Sequence, residues 1–163
     1  MATVLRAENP ADTETGDEFQ RVYRAEYPGT VKLVRMLTGT PDVADDLAQE
    51  AFVRLYRQGS NARHSAALLR TITVNVCRSW HRSQQRAAMR MVRHGPNASS
   101  LLSFERELDD SLRRLPYDQR AVVVLRYWLG MSESDIADAL GCRLGTVKSR
   151  HSRALAALRK ELS

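Results

Sequence analysis

Apolar residues recur three or four positions apart along most of the chain, the spacing that gathers them on one face of an α-helix. Phe19, Val22, Tyr23, Tyr27, Val31, Val34 and Leu37 predict a first helix over 17–37. Pro28-Gly29 falls inside it; proline lacks the amide and crowds the preceding turn, so a kink or break is expected there. Gly39-Thr40-Pro41 is a breaker, with Thr40 placed as N-cap and Pro41 as first helical residue of a second helix over 42–58. That helix carries a stripe of Val43, Leu47, Ala51 and Leu55, flanked by Ala44, Ala48 and Phe52. A loop follows at 58–65. The third helix is expected over about 66–86, with Leu68, Leu69, Ile72, Val76 and Trp80 inward and Arg70, Asn75, Arg78, Arg82 and Arg86 off the stripe. Periodicity fades around Gly95-Pro96-Asn97, which reads as an interdomain linker. Helices over about 105–114 and 116–129 come next, with Gly130 ending the second.

The last 30 or so residues hold the most informative pattern. Ser132 is placed to cap a helix whose Ile136, Ala137 and Leu140 share a face. Asp135, three residues on, is a short capping-box partner. Gly141 tolerates the left-handed conformation that stops a helix. A further helix starts at about Gly145 or Thr146, with Val147, Ala154, Leu155 and Leu158 at helical spacing. Its other face carries Thr146, Lys148, Ser149, His151, Ser152 and Arg153. Two helices about a tight turn, the second with a polar, basic start, form a helix-turn-helix suited to a major groove. An ordinary helical hairpin with a solvated basic face is the alternative.

Composition narrows this further. The 163 residues carry a formal charge of +6, and 43% are hydrophobic, enough for a folded all-α protein of one or two small domains. From Ala51 to Phe104 there are nine arginines and no acid. A one-sign field of that length repels itself, and phosphate contacts are its natural explanation. By contrast Asp42, Asp45, Asp46 and Glu50 lie together at the start of the second helix, partly favoured by its dipole. They suggest a docking face for a basic or polar partner. No apolar run approaches the ~20 residues of a membrane span, and the polar, acidic N-terminus lacks a signal peptide's apolar core, so a cytoplasmic protein without membrane contact is expected. Cys77 and Cys142 have no metal-ligand companions. His64, His81, His94 and His151 lack ligand spacing or a nucleophile beside them, and the acids at 42–50 lack a calcium loop's glycine turn. No enzyme activity, metal or cofactor is expected. A response-regulator layout would need an α/β receiver, and the first 90 residues show no strand–turn–helix alternation. A plain RNA-binding basic bundle would leave the acidic helix unexplained.

These residues resemble the extracytoplasmic-function (ECF) sigma factors of the sigma-70 family. In the C-terminal part, Leu112, Leu115-Pro116, Arg120, Gly130, Ser132, Ile136-Ala137, Leu140-Gly141, Gly145-Thr146-Val147-Lys148-Ser149-Arg150 and Arg153-Ala154 fit the family pattern. In the N-terminal part, Asp46-Leu47, Gln49-Glu50 and Phe52 match the D-L-x-Q-E-x-F motif, and Ile72 with Asn75 matches part of I-A-x-N. Asp135 replaces a usual Glu, Arg143 a common Pro, His151 an aliphatic residue, Leu68 a frequent Trp, Thr73 a frequent Ala and Ser79 a frequent Asp.

The resemblance implies two small helical domains on a flexible linker: an unstructured tail at 1–15, sigma region 2 at 16–90, the linker at 91–104 and sigma region 4 at 105–163. Asp45, Asp46, Gln49 and Glu50 would bind core RNA polymerase. Asn61, Arg63, His64, Asn75, Arg78 and Arg82 would recognise and open the minus-10 element, where a base is captured only once unstacked. Arg143, Thr146, Lys148, Ser149, Ser152 and Arg153 would read the minus-35 element. The implied partners are the beta-prime clamp and beta flap of core RNA polymerase, promoter DNA and an anti-sigma factor, for a chain that is monomeric when free.

Overall fold

The computed structural model describes residues 10–59, 62–90 and 103–161, the side chains of 10–15, 62–65 and 103–107 excepted. Among these residues the chain is all α-helix: α1 (Pro10–Thr38), α2 (Ala44–Arg57), α3 (Ala62–Ala88), α4 (Ser103–Arg114), α5 (Tyr117–Tyr127), α6 (Glu133–Leu140) and α7 (Leu144–Glu161).

Several boundaries differ from the sequence expectation. The expected tail at 1–15 is shortened, because α1 begins at Pro10, a residue preorganised for a first helical turn; residues 1–9 lie outside the described residues. α1 also runs through Pro28 without a break. Its anchors lie on both sides of the proline, half-buried Tyr27 before it and fully buried Leu33, Val34 and Leu37 after it, so packing outweighs one missing hydrogen bond. Thr40 does not cap α2. Residues 41–43 form a turn in which the Ala44 amide bonds the Pro41 carbonyl at 3.1 Å, and Val43 precedes the helix without a side-chain cap. α3 starts four residues earlier than expected, at Ala62, so half of the expected loop is helix. α4 starts at Ser103, inside the expected linker, whose residues 91–102 lie outside the described residues.

Glycines at positive φ follow four of the helices, Gly59 (φ 59°) after α2 among them. Gly39 (φ 71°) closes α1, its amide bonding the Arg35 carbonyl at 2.9 Å. Gly141 (φ 60°, ψ 43°) closes α6 with a pair of bonds, Gly141 to Asp138 at 3.2 Å and Cys142 to Ala137 at 3.0 Å. Gly130 (φ 62°) follows α5.

Ala51, Phe52 and Leu55 of α2 and Leu69, Ile72 and Val76 of α3 form a core roofed by Phe19, Val22 and Tyr23 of α1. Phe52 meets Tyr23 edge-on with ring centroids 4.8 Å apart. A larger core spans both halves of the chain. It joins Leu33, Val34 and Leu37 of α1, Ala44 and Ala48 of α2, and Val74 and Cys77 of α3 to Tyr117, Ala121, Val122, Val124 and Leu125 of α5. Ile136, Ala137 and Leu140 of α6 and Val147 of α7 complete it. Full burial of a side chain such as Leu37, Leu125 or Ile136 stabilises by about 1.5–3 kcal/mol. The first three helices and the last four are therefore packed against each other, with α1 on α5 and α3 on α6.

Candidate nucleic-acid interface

The helix-turn-helix forms as its sequence suggests. The Ser132 hydroxyl oxygen accepts from the Asp135 amide at 3.1 Å and its O–H donates to Asp135 Oδ2 at 2.6 Å, which closes the start of α6. Ile136, Ala137 and Leu140 face inward; Ala137, 7% exposed, lets the turn fold tightly. In α7, Val147 and Ala154 are fully buried, which turns the opposite face outward. Arg143, Lys148, Ser149, Ser152 and Arg153 are exposed, and Thr146 is half-buried. The Thr146 and Val147 amides bond the Arg143 carbonyl at 2.9 and 3.2 Å, fixing the helix start beneath Arg143. Arg150 pairs with Asp118 of α5 at 2.8 Å and so braces α7 against the bundle. His151 meets Tyr127, Nε2 to phenol oxygen 2.9 Å, which accounts for a histidine among packing positions. Glu133, half-buried, lies 3.9 Å from the exposed Lys148 Nζ and 3.8 Å from the half-buried Arg126, a loose pairing.

On α2, Asp45, Asp46 and Gln49 are exposed and Glu50 is half-buried, so the four share an outward face. Asp45 accepts from the Tyr27 hydroxyl at 2.9 Å, and Glu50 accepts from Arg54 Nε at 2.7 Å. Burial and then the Asp45 bond push the Tyr27 phenol up. Val53 and Tyr56, 42% and 61% exposed, prolong this stripe one and two turns on. The acidic pattern did not single them out; the Tyr56 ring packs edge-on against Phe19 of α1, centroids 5.0 Å apart.

The α3 candidates divide. Asn61 lies outside the described residues, as do the side chains of Arg63 and His64, whose backbone belongs to the first turn of α3. Asn75 is exposed on the wall of a groove of about 440 Å³ between α3 and α6, with Ala67, Arg70, Val74, Met131 and Asp135. Arg78 is half-buried, its guanidinium directly beneath the Gly141 turn; a Cβ there would come 2.8 Å from Nη2. Arg82 is exposed and lines an open cleft with Ser79, Gln85, Arg86 and Met89. The expected minus-10 residues from Arg63 to Arg82 are thus distributed along one helix, and α6 stands over the middle of it.

A chain with an acidic stripe on α2, an arginine-rich α3 and a capped helix-turn-helix matches known protein families in both halves. The description "Sigma-70 region 2" matches residues 22–87, and "Sigma-70, region 4" matches residues 105–158. The chain belongs to the ECF sigma factors of the sigma-70 family. Among its relatives, the RNA polymerase sigma-E factor of Streptomyces avermitilis is 37% identical over 153 residues, 89% of this chain and 85% of that protein. The ECF RNA polymerase sigma factor SigM of Mycobacterium tuberculosis is 32% identical over 150 residues, 88% of this chain and 76% of that one. Among solved structures, the sigma factor RpoE of Bartonella quintana, crystallised with the anti-sigma factor NepR, superposes with a TM-score of 0.66 at 28% identity, covering 88% of this chain and 96% of that one. As a sigma factor, the protein directs promoter-specific transcription initiation. Among the described residues no helix is long and apolar enough to cross a membrane.

Proposed function

We propose that this sigma factor divides its work between a segment at 16–90, which holds core polymerase and the minus-10 element, and a segment at 105–163, which reads the minus-35 element. The observation that carries the second part is the outward face of α7, where Arg143, Lys148, Ser149, Ser152 and Arg153 stand exposed on a helix whose Val147 and Ala154 are buried. A helix of that kind, set on a capped partner helix, presents its N-terminal residues to base edges and its cations to phosphates. The α2 stripe of Asp45, Asp46, Gln49 and Glu50, continued by Val53 and Tyr56, docks on the beta-prime clamp, and the α4–α7 bundle contacts the beta flap. Arg82 and its neighbours follow the phosphates of the opened strand, and Asn75 and Arg78, with the segment at Asn61, Arg63 and His64, face the minus-10 bases.

The mechanism is recognition and strand capture, and the polymerase performs the nucleotidyl chemistry. Unstacking a base costs a few kcal/mol, which backbone contacts and a shaped surface offset. In the cytoplasm the free protein is a monomer available to an anti-sigma factor, as the Bartonella sigma factor is to NepR. Run-off transcription tests the reading: purified protein, core RNA polymerase and fragmented bacterial genomic DNA yield protein-dependent transcripts whose aligned start sites share two upstream elements. Absence of both transcripts and polymerase binding refutes it.

A further inference from the structure

A single hydroxyl of α1 reaches the outward face of α2. The Tyr27 phenol donates to Asp45 Oδ1 at 2.9 Å, and the Gln49 side chain, one turn further along α2, lies beside the same oxygen. Asp45 and Gln49 are exposed, whereas Tyr27 is half-buried. Its ring is wedged between two others, with the Tyr23 centroid 4.9 Å away and that of Phe52 5.9 Å away. It packs against both apolar cores. A tyrosine has only two side-chain torsions, and packing of this kind fixes them, so the hydroxyl keeps one place.

That fixed donor matters for the carboxylate it holds. An exposed acid on a helix samples several rotamers and loses that freedom when a partner captures it. Asp45 is spared much of the loss, because its orientation is already selected. The hydroxyl is neutral, so the carboxylate keeps its charge, and the bond engages Oδ1 while leaving Oδ2 to a partner. Glu50 differs: its Oε1 is 2.7 Å from Arg54 Nε, and the arginine offsets its charge within the protein. Resting on α2 as the docking helix, we propose that Tyr27 is a positioning residue for polymerase binding, presetting Asp45 to meet a cationic side chain of core polymerase. Tyr27 acts through Asp45 and need not touch the polymerase.

Tyr27→Phe removes the hydroxyl and keeps the ring in its stack. The variant should stay folded, with unchanged helical circular dichroism, and bind core polymerase about threefold to tenfold more weakly, the loss expected when one more side chain is ordered on binding. No charge changes, so the salt dependence of association should match wild type and the loss should lie in faster dissociation. In an Asp45→Ala background no carboxylate is left to orient, and Tyr27→Phe should have no further effect on affinity, whereas a general structural defect would persist there. Tyr23→Phe removes a neighbouring phenol that bonds no residue of the stripe and should bind as wild type. Saturating core polymerase should restore run-off transcription by Tyr27→Phe to wild-type yield and start sites. Wild-type affinity of the folded Tyr27→Phe protein, an undiminished effect in the Asp45→Ala background, an equal loss in Tyr23→Phe, or transcription that saturation does not restore each overturns the role of Tyr27. Should Tyr27→Phe lose its helical signal, Asp45→Glu decides: it keeps the charge and moves the carboxylate by one methylene from the fixed donor, and wild-type affinity overturns the role. Weakened binding by Asp45→Ala with none by Tyr27→Phe removes Tyr27 and keeps α2 as the docking helix. Wild-type binding by Asp45→Ala also overturns the role, and if reversal of Asp46 and Glu50 is equally silent, the docking helix falls with it.

Discussion

Reversing two charges on α2, Asp46→Lys with Glu50→Lys, separates docking from folding. Asp46 lies exposed in the first turn of α2. An acid at that end of a helix stabilises by about 0.3–1 kcal/mol and a lysine costs a similar amount, so reversal there destabilises by about 1 kcal/mol. Glu50 pairs with Arg54 at 2.7 Å, but both side chains are nearly half exposed, 44% and 45%. An exposed i,i+4 pair contributes about 0.3–0.5 kcal/mol, and replacing it with two like charges costs about twice that. The sum, about 2 kcal/mol, lowers the melting temperature by roughly 4–8 °C and leaves the protein folded. Docking is affected more strongly, because two charges that faced complementary groups now face like ones, and at least about tenfold in affinity for core polymerase should go. The assay is fluorescence anisotropy of labelled protein titrated with core polymerase at moderate salt. Asp110→Lys, an exposed acid on α4, serves as the charge control. A folded double variant that binds polymerase with wild-type affinity, or a control that loses as much, would refute the assignment of α2 as the docking helix.

Three further outcomes are expected. Lys148→Ala and Arg153→Ala should each reduce footprint protection of the upstream promoter element, and a phosphate contact among them should lower the salt slope of binding by about one. Ser132→Ala removes both bonds at the start of α6 and should cost about 1 kcal/mol, read as a melting temperature some 2–4 °C lower. The His81 imidazole is held below its ordinary value of 6.5, first by burial and then by the Arg120 guanidinium, with Asp118 opposing. A lowered histidine contributes stability that is complete above pH 6.5 and is lost as pH falls through the lower folded value. The melting temperature should therefore fall as the pH drops below about 6.5, and His81→Phe, which keeps the ring on Tyr117, should flatten that dependence.

The elements of this fold were legible because most are amphipathic helices with explicit ends: Ser132 and Gly141 bracket α6, and Gly130 follows α5. Two local expectations, a break at Pro28 and a cap at Thr40, gave way because local chemistry was outvoted. Pro28 sits within a helix anchored on both sides, and Thr40-Pro41 initiates a turn ahead of the helix it was expected to begin. The contact between the halves was harder to see, since periodicity identifies a buried face without naming what covers it. A hint lay in α5, where Ala121, Val122, Val123, Val124 and Leu125 are consecutive, all buried, and too apolar for a helix with one wet side. Arg120, set just before that run, matched the family pattern without disclosing its partners. The α2 acids were read from charge alone, so Val53 and Tyr56 on the same face went unnoticed.

Glu133 has a bearing on how the protein searches. Its carboxylate stands beside Lys148 on one side and Arg126 on the other, on the face proposed to meet phosphates. With α7 reading DNA as proposed, any stretch of duplex must displace or tolerate that acid, whatever its sequence, while only the right bases return contacts that offset it. A genome offers about 10⁶–10⁹ competing sites, and a small cation-rich protein that adhered to all of them would spend its time sequestered. On that proposed reading, one carboxylate between a lysine and an arginine trades grip for turnover, shortening each wrong encounter so that the right one is reached sooner.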